Sequence, residues 1–92
     1  MTEQPATTEP RPKRIDGLEA HEVDDGLVVY QASNDRVHYL NPTASLVFEL
    51  CTGEHTEEEI AALVGAAWDL PEPPRAEVQQ CLAQLRAEGA IV

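Results

Sequence analysis

The sequence predicts an α+β fold, a three-stranded antiparallel sheet followed by three helices. Three observations carry this. A β-branched and aromatic run lies between groups of turn formers in the first half, and capped segments with apolar residues at helical spacing fill the second. The chain is also rich in aliphatic residues and poor in aromatic ones, 42% hydrophobic but 4% aromatic, a balance that suits a small mixed domain better than an all-β sandwich. With 92 residues there is room for one small core and little room for a buried catalytic cleft.

Residues 1–14, MTEQPATTEPRPKR, hold three prolines among polar residues and no apolar periodicity, so they read as a disordered tail, with the domain spanning 15–92. A first strand, Leu18 to Val23, runs into Asp24-Asp25-Gly26, where Gly supplies the positive φ of a hairpin turn. The second strand, Leu27 to Ala32, ends at Ser33-Asn34-Asp35, and a third, Arg36 to Leu40, completes a meander.

Asn41-Pro42-Thr43 then starts a helix, with Asn as cap and Pro at the first position, where a missing N–H does no harm. Ala44, Val47, Phe48 and Cys51 fall at i, i+3, i+4, i+7, with Leu46 and Leu50 widening the apolar face until Gly53 ends it. Thr56-Glu57-Glu58-Glu59 opens the second helix as a capping box, whose carboxylates suit the positive end of the helix dipole. Ile60, Leu63, Val64, Ala67 and Trp68 are its expected buried face, and Pro71, Pro73 and Pro74 break it. The third helix, Arg75 to Ala87, places Val78, Cys81, Leu82 and Leu85 inward and stops at Gly89, leaving an apolar end, Ala90-Ile91-Val92, to pack back on the body.

Net charge narrows the function classes. The total is −11, and because residues 1–14 carry three cations against two carboxylates, residues 15–92 hold −12. Such a surface repels a phosphate backbone and anionic lipid, so neither nucleic acid nor membrane is expected as a partner. No apolar run approaches a membrane span and no signal sequence opens the chain, which makes the cytoplasm the expected location. Cys51 and Cys81 have no second thiol or His at metal-ligand spacing, and His21, His38 and His55 are scattered over two strands and a turn. No metal, cofactor or catalytic constellation is expected, and the chain reads as a non-enzyme.

Tyr39-Leu40-Asn41-Pro42-Thr43-Ala44, then Glu49 to Thr56 with Gly53 inside it, then Leu82, Leu85 and the terminal Glu88-Gly89-Ala90-Ile91-Val92 together resemble the PqqD family over residues 15–92. That resemblance implies a winged-helix-like precursor recognition element, which binds the leader segment of a ribosomally made precursor peptide and presents it to a modifying enzyme. The partner enzyme it implies is a radical S-adenosylmethionine enzyme, a peptidase or a cyclase. The leader is expected to add as a strand to the edge of the third strand, in a groove closed by the third helix. A long acidic, Pro-rich link, Asp69 to Pro74, and the basic tail depart from the family pattern.

The expected peptide contacts are Arg36, Val37, His38, Tyr39 and Leu40 on the strand, with Arg36 and His38 on one face and Val37 and Tyr39 on the other. On the third helix they are Arg75, Gln79, Leu82 and Arg86, a stripe beside the core stripe whose two cations, with Arg36 facing the same cleft, are offered to an acidic leader residue. The same residues also read as an ordinary core strand and a solvated helix surface. Two other functions compete: a docking or oligomerising subunit of a larger enzyme, and a winged-helix transcription regulator, against which the charge argues. An unpaired strand edge can also pair with a second copy, giving a homodimer when no peptide is bound.

Overall fold

The computed structural model describes residues 11–92, as three strands and three α-helices in the expected order. Strands β1 (Leu18–Val23), β2 (Gly26–Gln31) and β3 (Arg36–Leu40) form one antiparallel sheet in the order β1-β2-β3. Val23 pairs with Gly26 across Asp24-Asp25, and a Cβ on Gly26 would collide with the carbonyl of Leu40. Glycine is therefore required there by the close approach of β3 as well as by its φ of 158°. Between β2 and β3 the chain makes a 3₁₀ turn, Ala32–Asn34, with Asp35 in the left-handed region.

Register decides which side chains face the helices. Leu27 opposes Leu40, Val29 opposes His38 and Gln31 opposes Arg36, so these six share one face of the sheet. Leu27, Val29 and Leu40 join the core, while Val28, Tyr30, Val37 and Tyr39 lie on the other face. Helix α1 (Pro42–Leu50) covers the inner face with Val47 and Phe48. Its start is built as the sequence dictates, the Asn41 side chain accepting from the Ala44 N–H at 2.8 Å.

Helix α2 (Glu57–Ala67) begins with both halves of the capping box formed: Thr56 Oγ1 accepts from the Glu59 N–H, and Glu59 Oε1 accepts from the Thr56 N–H. Its buried face is Ile60, Ala61, Val64 and Gly65, so Leu63, Ala67 and Trp68 lie outside the core they were expected to join. The phase is set by Gly65, where a Cβ would stand 3.2 Å from Pro73 Cα, so the proline link packs directly on the helix backbone. Helix α3 (Arg75–Ala87) buries Val78, Leu82 and Leu85.

The ordered body begins before residue 15. Residues 1–10 of the expected tail lie outside the described residues, but Pro12 is fully buried and the segment after it is tied down on both sides. Lys13 and Val92 exchange backbone hydrogen bonds at 3.1 and 2.8 Å, Ile15 N–H donates to the Ala90 carbonyl, and Arg14 N–H donates to the Cys51 carbonyl. Ala90 and Ile91 are buried as a result. The low apolar content of this segment hid it, because backbone pairing, with Pro12 as its fully buried side chain, holds it.

Candidate functional site

The sheet has two free edges among the described residues, and they differ in chemistry. β1 is exposed along nearly its whole length and carries Glu19, His21 and Glu22, beside Asp24 and Asp25 of the turn. Charge of one sign on an edge discourages pairing with another strand. β3 instead presents Val37, 65% exposed, and Tyr39, 55% exposed, and it runs beside α3 with a groove between them.

That groove has a volume of about 490 Å³. Arg36 to Leu40 form one wall, Asn41 and Ala44 follow at the Leu40 end, and Glu77, Gln80, Cys81, Gln84, Leu85 and Glu88 of α3 form the other. All five β3 residues expected at the site are therefore in it. Arg36 Nη2 donates to Glu88 Oε1 at 3.0 Å, joining the start of β3 to the end of α3. Strand and helix thus run in opposite directions along the groove, which puts Glu77 at its Leu40 end.

His38 points inward with 10% of its side chain exposed. Its Nε2 donates to Gln31 Oε1 at 2.9 Å, which satisfies the one buried polar side chain of the described core, and its Nδ1 stands 3.6 Å from Glu88 Oε1. Tyr39 Oη donates to the Asp25 carbonyl at 2.9 Å, so the ring is anchored at the far side of the hairpin. Arg36 and His38 do lie on one face and Val37 and Tyr39 on the other.

The four α3 residues expected at the site are not in the groove. Leu82 is 1% exposed and belongs to the core. Arg75 Nη2 lies 2.6 Å from Glu58 Oε2, and Arg86 Nη2 lies 3.2 Å from Glu57 Oε2, so both arginines face the first turn of α2. Gln79 lies between them on the same stripe. At about 100° per residue the stripe that lines the groove, 77-81-84-88, is about 160° away from 75-79-82-86. The acidic start of α2 was the signal that could have placed the arginines, since Glu57 and Glu58 attract cationic neighbours. With both arginines paired to α2, no cation from α3 reaches the groove, and of the three cations expected to meet an acidic leader residue only Arg36 lines it, bonded to Glu88.

The two cysteines report different surroundings, and both are free thiols. Cys51 is fully buried beside α1, and burial pushes its pKa up to about 11, with the nearby Arg14 and Arg86 charges opposing that and Glu57 adding to it. Cys81 is half-buried in the groove wall, its pKa raised by desolvation and then by the charge of Glu77. Neither is an activated nucleophile. A second cavity of about 350 Å³ lies at the start of β1, lined by Arg14 to Leu18, Ala20 and Phe48, with the Arg14 guanidinium 5.4 Å from the Phe48 ring centre.

Residues 26–91, which hold β2, β3, the three helices and the whole groove, match the family described as coenzyme PQQ synthesis protein D (PqqD). The chain belongs to the PqqD family. As a PqqD-family chain it keeps the strand-and-helix order the resemblance implied. Two solved structures share the fold at low sequence identity. One is described as TbiB1 in complex with the TbiA(beta) leader peptide, with a TM-score of 0.72 and 19% identity over 86% of this chain and 93% of that one. The other is described as lasso peptide synthetase B1 complexed with the leader peptide, with a TM-score of 0.72 and 14% identity over 89% of this chain and 98% of that one. No curated protein matches the sequence.

Proposed function

We propose that this PqqD-family protein is a non-catalytic adaptor that binds the leader segment of a ribosomally made precursor peptide and presents it to a modifying enzyme. The observation that carries the reading is the β3 edge, uncharged at Val37 and Tyr39, open, and backed by a groove against α3. A peptide added there as a fourth strand gains affinity from backbone hydrogen bonds and selectivity from the side chains that reach the groove. Both structural neighbours are described as complexes with a leader peptide, which supports leader binding on this fold. The contacts we assign are Arg36 to Leu40 on β3 and Glu77, Gln80, Cys81, Gln84 and Leu85 on α3. The partner is a radical S-adenosylmethionine enzyme, a peptidase or a cyclase. Two free thiols suit the cytoplasm, where precursors are made.

A nucleic-acid role is disfavoured by the same geometry. α3 is the helix that would enter a groove of DNA, yet Arg75 and Arg86 are held by Glu58 and Glu57 within a chain of net charge −11.

The test is amide hydrogen exchange of the full chain with and without the synthetic leader half of a short peptide encoded beside its gene. Slowed exchange at Arg36 to Leu40, with β1 unchanged, is the expected result. Protection of β1 alone would overturn the assignment of the edge. No binding to any neighbouring peptide, together with binding to a neighbouring enzyme, would favour a docking subunit instead.

A further inference from the structure

The groove is not neutral along its length, and its charge distribution restricts what can fill it. At one end Arg36, the only arginine or lysine lining it, is already bonded to Glu88. At the other end Glu77 is exposed and has no ion-pair partner among the described residues. Between them Gln80 and Gln84 are neutral, while Leu40, Cys81 and Leu85 supply apolar surface. The nearest cations on α3, Arg75 and Arg86, are engaged on the opposite flank of the helix.

We propose that the peptide bound in this groove carries a basic side chain, Lys or Arg, that docks against Glu77, and an apolar side chain seated among Leu40, Cys81 and Leu85. This inference rests on the leader-binding reading above and specifies the peptide it takes. An ammonium or guanidinium beside Glu77 gains a charge-assisted hydrogen bond and compensates the one open carboxylate of the groove. An acidic side chain in the same place meets like charge and, among the described groove residues, no free cation. The net charge of −11 extends the same preference outward, because it raises the local concentration of basic peptides before contact.

Spacing follows from the two regular structures. Along α3, at about 1.5 Å per residue, Cys81 lies about 6 Å and Leu85 about 12 Å from Glu77. Side chains on one face of an added strand recur about every 6.6 Å. The basic residue therefore stands about two to four positions from the apolar anchor, both on the face turned to α3.

A random-peptide display library selected against the full chain tests this, with Glu77→Lys as the variant and circular dichroism melting to confirm that it folds. Groove occupancy is scored separately by alkylation of Cys81 with N-ethylmaleimide, which a peptide in the groove should slow, while buried Cys51 stays unreacted in either case. Among peptides that protect Cys81, the expected result is enrichment of Lys or Arg two or four positions from an apolar residue, and a switch to Asp or Glu with Glu77→Lys. Cys81-protecting peptides with no charge preference, or with the same preference for both proteins, overturn the charge assignment and leave the adaptor reading intact. If no peptide protects Cys81, both fall.

Discussion

The two polar flanks of α3 carry opposite charges and meet different fates. One, with Arg75, Gln79 and Arg86, faces the first turn of α2, and its charges are consumed in ion pairs inside the fold. The other, with Glu77, Gln80, Gln84 and Glu88, faces β3 across an open groove. The buried stripe of Val78, Leu82 and Leu85 runs between them. A helix can thus close one flank and leave the other available only if a third element stands beside it, and here that element is the capped start of α2.

The largest effect is expected at the stripe that divides the flanks. Leu82→Glu should abolish cooperative unfolding by circular dichroism, since even truncation of such a leucine to Ala costs about 2–5 kcal/mol and a buried unpaired carboxylate costs more. A folded Leu82→Glu variant with weakened peptide binding would instead move Leu82 back into the groove.

Next comes a matched pair of surface substitutions, one on each flank. Gln84→Trp should fill the groove and weaken leader binding by about tenfold or more, an effect on the order of 1.4 kcal/mol. Gln79→Trp should leave binding unchanged in the same titration. Equal losses from both would mean that the flanks are not functionally distinct.

Arg75→Gln with Arg86→Gln should lower the melting temperature slightly and leave leader affinity unchanged, because exposed pairs contribute little to stability. The hydrogen bond from Arg75 holds the Glu58 carboxyl below its usual pKa. The contribution of this pair is therefore present at neutral pH and lost as pH falls and Glu58 is protonated. The difference in melting temperature between wild type and Arg75→Gln should shrink in acid.

A further effect separates the core from the groove by pH, and only in alkali. Cys51 holds its proton in the folded state up to about pH 11, against 9.0 for an ordinary thiol. Stability from that burial is complete below pH 9.0 and declines as pH rises toward 11, so thermal melts should show an alkaline loss that is reduced in Cys51→Ala. Cys81, at the groove surface, should contribute less to that loss.

Several elements were legible because their causes are local. Asn41 before Pro42, Thr56 three residues before Glu59, and the apolar spacing of Val78, Leu82 and Leu85 each act within one or two turns of chain, and each forms as expected. The β3 wall of the groove was legible for the same reason: alternation along a short strand assigns Val37 and Tyr39 to one face without reference to anything distant. The face of α2 was less so. Leu63 and Trp68 fit the helical period as well as Ala61 and Gly65 do, and only the packing of Pro73 and Pro74 against Gly65 chose between them.

By itself, then, the sequence determined the order of the elements, their caps, the buried stripe of α3 and the two faces of β3. Tertiary structure decided which flank of α3 faces that strand, that Arg75 and Arg86 are already paired, and that Lys13 to Ile15 clasp the C-terminal residues. The reason is physical: periodicity specifies an angle around a helix relative to its own core stripe, whereas an ion pair or a backbone bridge depends on which distant segment the fold brings alongside.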